Sequence, residues 1–176
     1  MVNTKTENHE VVARWNVQVS LSKIVSIVDD EPDITALFHD AIMSINGITV
    51  FAFTDPILAL GHFEKNKDNY VLVISDFRMP GLNGMDFLRR MKDMNKYVRT
   101  ILMTAFEIDN TISRDYTKRK IINAFFQKPV RLTDLIEEVH TQIHYYEIQK
   151  KYPFHRKWPF AYVTQSKFIF YNHLSN

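Results

Sequence analysis

Asp29, Asp30 and Glu31 stand side by side in "KIVSIVDDEPDI", directly after an apolar run. Asp76 follows a second such run in "YVLVISDFRMP", and Thr104 and Lys128 stand at or just after the ends of two more. Adjacent carboxylates repel one another, so the acids either hold a cation or only decorate a helix start. If they meet, they fit Mg²⁺, a hard cation that takes oxygen ligands, keeps waters and prefers to share a phosphate. A carboxylate can also act as a nucleophile toward phosphorus. That chemistry requires cations around the transferring oxygens and a donor for the product, which a lysine and a threonine hydroxyl supply.

Whether these residues meet depends on the elements that carry them. Apolar, β-branched runs alternate with amphipathic stretches, the pattern of strands and helices around a parallel sheet. The candidate strands are "KIVSIV" (23–28), "ITVFAF" (48–53), "YVLVIS" (70–75), "RTILMT" (99–104) and "INAFFQ" (122–127). Runs two to four are apolar nearly throughout, which predicts strands covered on both faces. After the acids, Ile34, Leu37, Phe38, Ala41, Ile42 and Ile45 recur at helical spacing, with Pro32 near the first turn and Gly47 ending the segment. Thr54-Asp55-Pro56 opens a second helix, and Leu132, Leu135, Ile136, Val139 and Ile143 give the last one an apolar face. The expected fold is α/β, a five-stranded parallel sheet with helices on both faces. With strand order 2-1-3-4-5, the acids after strands one and three meet at the switch point, where open sheets bind ligands.

The bulk composition fits this. A 45% hydrophobic content over 176 residues predicts one packed core with extra material, and no cysteine is present for a disulfide or a thiolate metal site. No apolar run reaches the ~20 residues of a membrane span, and a cytoplasmic location is expected. Residues 1–21 are read as a flexible leader, 22–147 as the folded domain and 148–176 as an extension. From Ile148 onward there are five Lys/Arg and no acid, so a body of net charge −3 carries a tail of +5. Eight of those 29 residues are aromatic. This is too short for a winged-helix domain, so sequence-specific DNA reading is not expected. A strap folded on the domain is the plainer reading of the tail, and "KFIFYN" could instead add to a sheet edge.

Taken singly, each polar residue has a structural explanation: dipole compensation for the acidic pair, a turn for Asp76, a strand end for Thr104, a solvated side chain for Lys128. Those explanations do not predict that all would fall at the carboxyl ends of strands one, three, four and five. The acidic pair in "VDDE", the "SDFRMPGLNGMDFL" segment with Pro80 four residues after its aspartate, the "MTA" at 103–105 and the "FFQKP" ending in Lys128-Pro129 resemble the response regulator receiver domain of two-component signalling. The resemblance covers roughly residues 22–147 and implies a flavodoxin-like receiver fold.

By that resemblance, Asp76 is the phosphoacceptor. Asp29 and Asp30 hold Mg²⁺ together with Asp76 and the backbone carbonyl of Arg78, Thr104 and Lys128 contact the phosphoryl group, and Phe125 is the aromatic that rotates on activation. Arg78 and Phe106 flank the path of an attacking water in receivers, so they bear on hydrolysis rate. The 24 residues from Thr104 to Lys128 are a little long for the family, which predicts an extended helix or loop between strands four and five, where the charge run 113–120 falls.

The expected function is a single-domain response regulator, not an enzyme on other molecules, phosphorylated by a sensor histidine kinase or a phosphotransfer protein. It would switch a surface read by an output protein or a second copy of the chain. The rival readings are a receiver-like interaction module without phosphorylation and an aspartyl-phosphate hydrolase. Arg78 argues against the hydrolase, because such enzymes carry a second aspartate two residues after the nucleophile.

Overall fold

The computed structural model describes residues 23–105 and 121–152, together with the backbone of Phe168–Ile169. The leader, the charge run at 113–120 with Phe106, and most of the tail lie outside the described residues. The elements run β1 (Lys23–Val28), α1 (Pro32–Ile42), β2 (Ile48–Phe53), α2 (Pro56–Asn66), β3 (Tyr70–Asp76), α3 (Gly84–Met94), β4 (Arg99–Thr104), β5 (Ala124–Gln127), α4 (Leu132–Lys151) and β6 (Phe168–Ile169). The order across the sheet is β2-β1-β3-β4-β5-β6, every neighbouring pair parallel. The expected 2-1-3-4-5 core is present, and two tail residues extend it at the β5 edge.

Alternation along the strands supplies two cores. Val28, Val73, Leu102 and Phe125 pack under α2 and α3 with Phe63, Phe87 and Leu88. Val25, Ile27, Ile74, Ile101, Met103 and Phe126 pack under α1 and α4 with Phe38, Leu135 and Val139. Every residue of β3 and β4 is buried, as strands covered on both faces require. β2 departs from that expectation, with Thr49 and Ala52 exposed. It lies at the edge of the sheet, where helices cover it incompletely.

Local chemistry sets the boundaries. Asp55 caps α2, its Oδ1 accepting the Ile57 amide at 2.7 Å, and Pro56 occupies the first turn where its missing N–H is harmless. β5 begins two residues later than the apolar run suggests. Asn123 Oδ1 accepts the Thr100 amide at 3.0 Å, and the Asn123 amide donates to the Thr100 carbonyl at 2.9 Å. A side-chain oxygen thus takes one ladder acceptor position, and regular pairing starts at Ala124. Arg99, buried at the start of β4, donates from Nε to Gln142 Oε1 at 2.6 Å and ties α4 to the sheet.

Candidate functional site

β1 pairs with both β2 and β3, so the order in which the chain adds strands reverses between β1 and β3. Asp29 follows β1 and Asp76 is the last residue of β3, which brings both carboxyls to the carboxyl edge at that reversal. Lys128 follows β5 two strands away, and its side chain reaches back across the edge. Lys128 Nζ lies 2.7 Å from Asp29 Oδ2 and 2.7 Å from Asp76 Oδ1, with Glu31 Oε1 at 3.8 Å.

Each carboxylate has a second anchor. The Arg78 amide donates to Asp76 Oδ2 at 2.6 Å, and the Glu31 amide donates to Asp29 Oδ1 at 3.1 Å. Asp29 therefore both braces the chain entering α1 and faces the lysine, combining the two explanations that its sequence position allowed. Asp29 is fully buried and Asp76 is 6% exposed. Burial pushes the Asp76 carboxyl above its ordinary value; Lys128 and the Arg78 amide oppose the rise, and the Asp29 charge adds to it. Burial would lower the Lys128 ammonium, but its bonds to Asp29 and Asp76 and their charges outweigh that and hold it above its ordinary value.

Thr104 ends β4 and is 1% exposed; its carbonyl accepts the Lys128 amide at 2.7 Å, so the two residues are fixed side by side. Phe125 is buried in the α2/α3 core and pairs in register with Leu102 of β4. Asp30 and Arg78 are exposed at the rim of the cup. Among the described residues, no three His, Cys, Asp or Glu side chains converge closely enough to hold an ion. The donors at the cup are hard oxygens, the type Mg²⁺ selects, and such an ion completes its shell with water and phosphate oxygens. The set is compatible with Mg²⁺ on that chemistry.

Two residues that position the site carry little signal in the sequence. Thr35 donates its buried hydroxyl to the Asp29 carbonyl at 2.9 Å and to the Glu31 carbonyl at 2.8 Å, clasping the acidic turn to α1. The Glu31 bond is the back-bond that any helical threonine can make, but the Asp29 bond depends on where the turn folds. Gly84 opens α3 against the end of β3: a Cβ there would lie 2.0 Å from the Asp76 carbonyl oxygen. A glycine at a helix start after a capping Asn83 is the one sequence hint of that close approach.

Comparison with known proteins identifies the family and the fold. The family model of the response regulator receiver domain matches residues 25–140. The chain is similar to the cyclic di-GMP phosphodiesterase response regulator RpfG of Xanthomonas campestris, 29% identical over 129 residues, covering 72% of this chain and 33% of that protein. It is also similar to the sporulation initiation phosphotransferase F of Bacillus subtilis, 31% identical over 90 residues, covering 51% and 70% respectively. The chain thus spans about a third of the length of the Xanthomonas relative. Among solved structures, a receiver domain protein of Methanospirillum hungatei superposes with a TM-score of 0.65 at 20% identity, covering 72% of this chain and 98% of that one. One from Clostridium thermocellum gives 0.62 at 24%, covering 71% and 97%. At these identities the structures speak for a shared fold.

Proposed function

This chain belongs to the response regulator receiver family, and from that premise we propose that Asp76 accepts a phosphoryl group from a phosphohistidine of a sensor kinase or phosphotransfer protein. The observation that carries the proposal is the convergence of Asp29, Asp76 and Lys128, with 2.7 Å between the ammonium and each carboxylate. A carboxylate oxygen of Asp76 attacks phosphorus, the P–N bond breaks, and the imidazole leaves with the bonding pair and is reprotonated from water. Lys128, held charged, turns from the carboxylate pair to the incoming phosphoryl oxygens, and the Thr104 hydroxyl beside it donates to them. The Arg78 amide keeps the Asp76 carboxylate oriented for attack. Asp29, Asp30, Asp76 and the Arg78 carbonyl would hold Mg²⁺, which would supply the remaining neutralisation of charge.

On this reading the protein acts on no substrate other than its own phosphoryl group. Its output is a change of surface at β4 and β5, where Thr104 and Phe125 sit, read by a second protein or a second copy of the chain. Such a role is cytoplasmic, and among the described residues no helix is long and apolar enough to cross a membrane. Incubation with a small phosphoryl donor and Mg²⁺, followed by mass spectrometry, tests it: an adduct localised to Asp76 is expected, and its absence would leave only a receiver-like binding module.

A further inference from the structure

The turn that carries the acids is held at every polar atom of Asp29. The Asp29 amide donates to the Phe53 carbonyl at 3.1 Å, Oδ1 accepts the Glu31 amide at 3.1 Å, and Oδ2 faces Lys128 Nζ at 2.7 Å. The carbonyl oxygen accepts the Thr35 hydroxyl at 2.9 Å. That hydroxyl has one proton for two acceptors, because the Glu31 carbonyl lies 2.8 Å from it. The Glu31 carbonyl also takes the Thr35 amide at 3.0 Å, so it keeps a donor when the hydroxyl is removed. The loss therefore falls on Asp29, and both Asp29 and Thr35 are buried, where an unpaired carbonyl is costly. Glu31 stands at the N-cap of α1 but makes no side-chain capping bond, so it is the Thr35 hydroxyl, from inside the helix, that ties the turn down.

A carbonyl and the amide that follows it lie in one rigid plane. Fixing the direction of the Asp29 oxygen therefore fixes the direction in which the chain enters Asp30, which is exposed at the rim of the cup. We infer that Thr35 is a positioning residue for the metal. Through the Asp29 carbonyl it sets where the Asp30 carboxylate stands relative to that of Asp29, and so how well the cup binds Mg²⁺, without being a ligand itself. Groups that orient metal ligands in this way change affinity by about 10–100-fold when they are removed. The inference rests on the reading of Asp29 and Asp30 as Mg²⁺ ligands of a phosphoacceptor site.

Calorimetric titration of the full chain with Mg²⁺, with no phosphoryl donor present, tests it. Thr35→Val keeps the branched shape and removes the hydroxyl, and its dissociation constant for Mg²⁺ should rise by about tenfold or more. Thr35→Ser keeps the hydroxyl and should bind Mg²⁺ as the wild type does. Thr35→Ala, which leaves no methyl group against the carbonyl, gives the same reading as Thr35→Val if that variant does not fold. Ile42→Val separates positioning from general loosening of α1: it removes a buried methyl group from the same helix and should leave the affinity unchanged. Unaltered affinity in the variants without a hydroxyl, equal losses in Thr35→Ser and Thr35→Val, or an equal loss in Ile42→Val would overturn the inference alone. A wild type that does not bind Mg²⁺ would overturn the reading of the cup and the inference with it.

Discussion

Lys128 Nζ lies 2.7 Å from Asp76 Oδ1, so the residue read as phosphoacceptor is already paired with the cation that is to meet its phosphoryl group. The same ammonium holds Asp29 at 2.7 Å. The unmodified site is therefore a shared ion pair: one positive charge serves two buried carboxylates and leaves these three groups one charge negative.

Removing that charge should be costly. Lys128→Met leaves Asp29 and Asp76 buried without their cation, and breaking a buried pair in this way costs about 3 kcal/mol. The wild type should also lose stability in alkali. The Lys128 ammonium is raised in the folded state, so its contribution is complete below the ordinary 10.5 and is lost as pH rises through the folded value. Urea denaturation at neutral pH and in alkali checks both; equal stabilities at neutral pH would mean the ammonium does not hold the acids.

Asp76 predicts the opposite effect for a different variant, although its pH slope has the same sign. Its folded carboxyl titrates above the ordinary 3.8, so between the two values the native state binds more protons and stability falls as pH rises. The ionised carboxylate thus costs stability at neutral pH in the absence of metal. Asp76→Asn should melt higher than wild type at pH 7 in excess EDTA, and the gap should close on acidification to below 3.8. A variant that melts lower at pH 7 would contradict the repulsion on which this rests.

Gly84 and Gly61 make a paired test. A Cβ at position 84 would meet the Asp76 carbonyl oxygen at 2.0 Å, whereas one at position 61 would meet nothing within 4 Å. Gly84→Ala forces α3 away from the end of β3 and should cost about 3 kcal/mol. Gly61→Ala, inside α2, should stabilise by about 0.5–1 kcal/mol. Denaturation midpoints decide it, and similar effects at the two positions would mean that α3 does not start as tightly against Asp76 as described.

Much of this was readable from residue types and spacing, and the remainder was not for identifiable reasons. β1, β2 and β4 have the predicted boundaries because each apolar run is bounded by polar or turn residues. α1 and α2 begin at Pro32 and Pro56, where proline fixes the first turn. The expected order already placed β2 at the edge, but its partial exposure was not readable from the run itself, because an apolar run does not state how completely helices cover its strand. The late start of β5 depends on the Asn123 side chain finding Thr100, a contact between distant residues. Within the site, the positions of Asp29, Asp76 and Lys128 follow from strand ends. The clasp from Thr35 to the Asp29 carbonyl does not, since only the folded turn brings that oxygen within 2.9 Å.

The cation requirement can be tested without any phosphoryl donor. A ligand stabilises only the state that binds it, so Mg²⁺ should raise the melting temperature of the wild type and do so much less for Asp30→Ala. Asp30 is exposed and outside the Lys128 pair, so the substitution leaves the metal-free fold in place. Equal shifts in the two proteins would remove Asp30 from the metal site.

The most direct test of the central claim is to locate the phosphoryl group. After incubation of the full chain with a small phosphoryl donor and Mg²⁺, borohydride trapping of the acyl phosphate and peptide mass spectrometry should find the label at Asp76, and at no position in Asp76→Asn. Label at Asp29 or Asp30, or label that persists in the Asp76→Asn chain, would contradict the account.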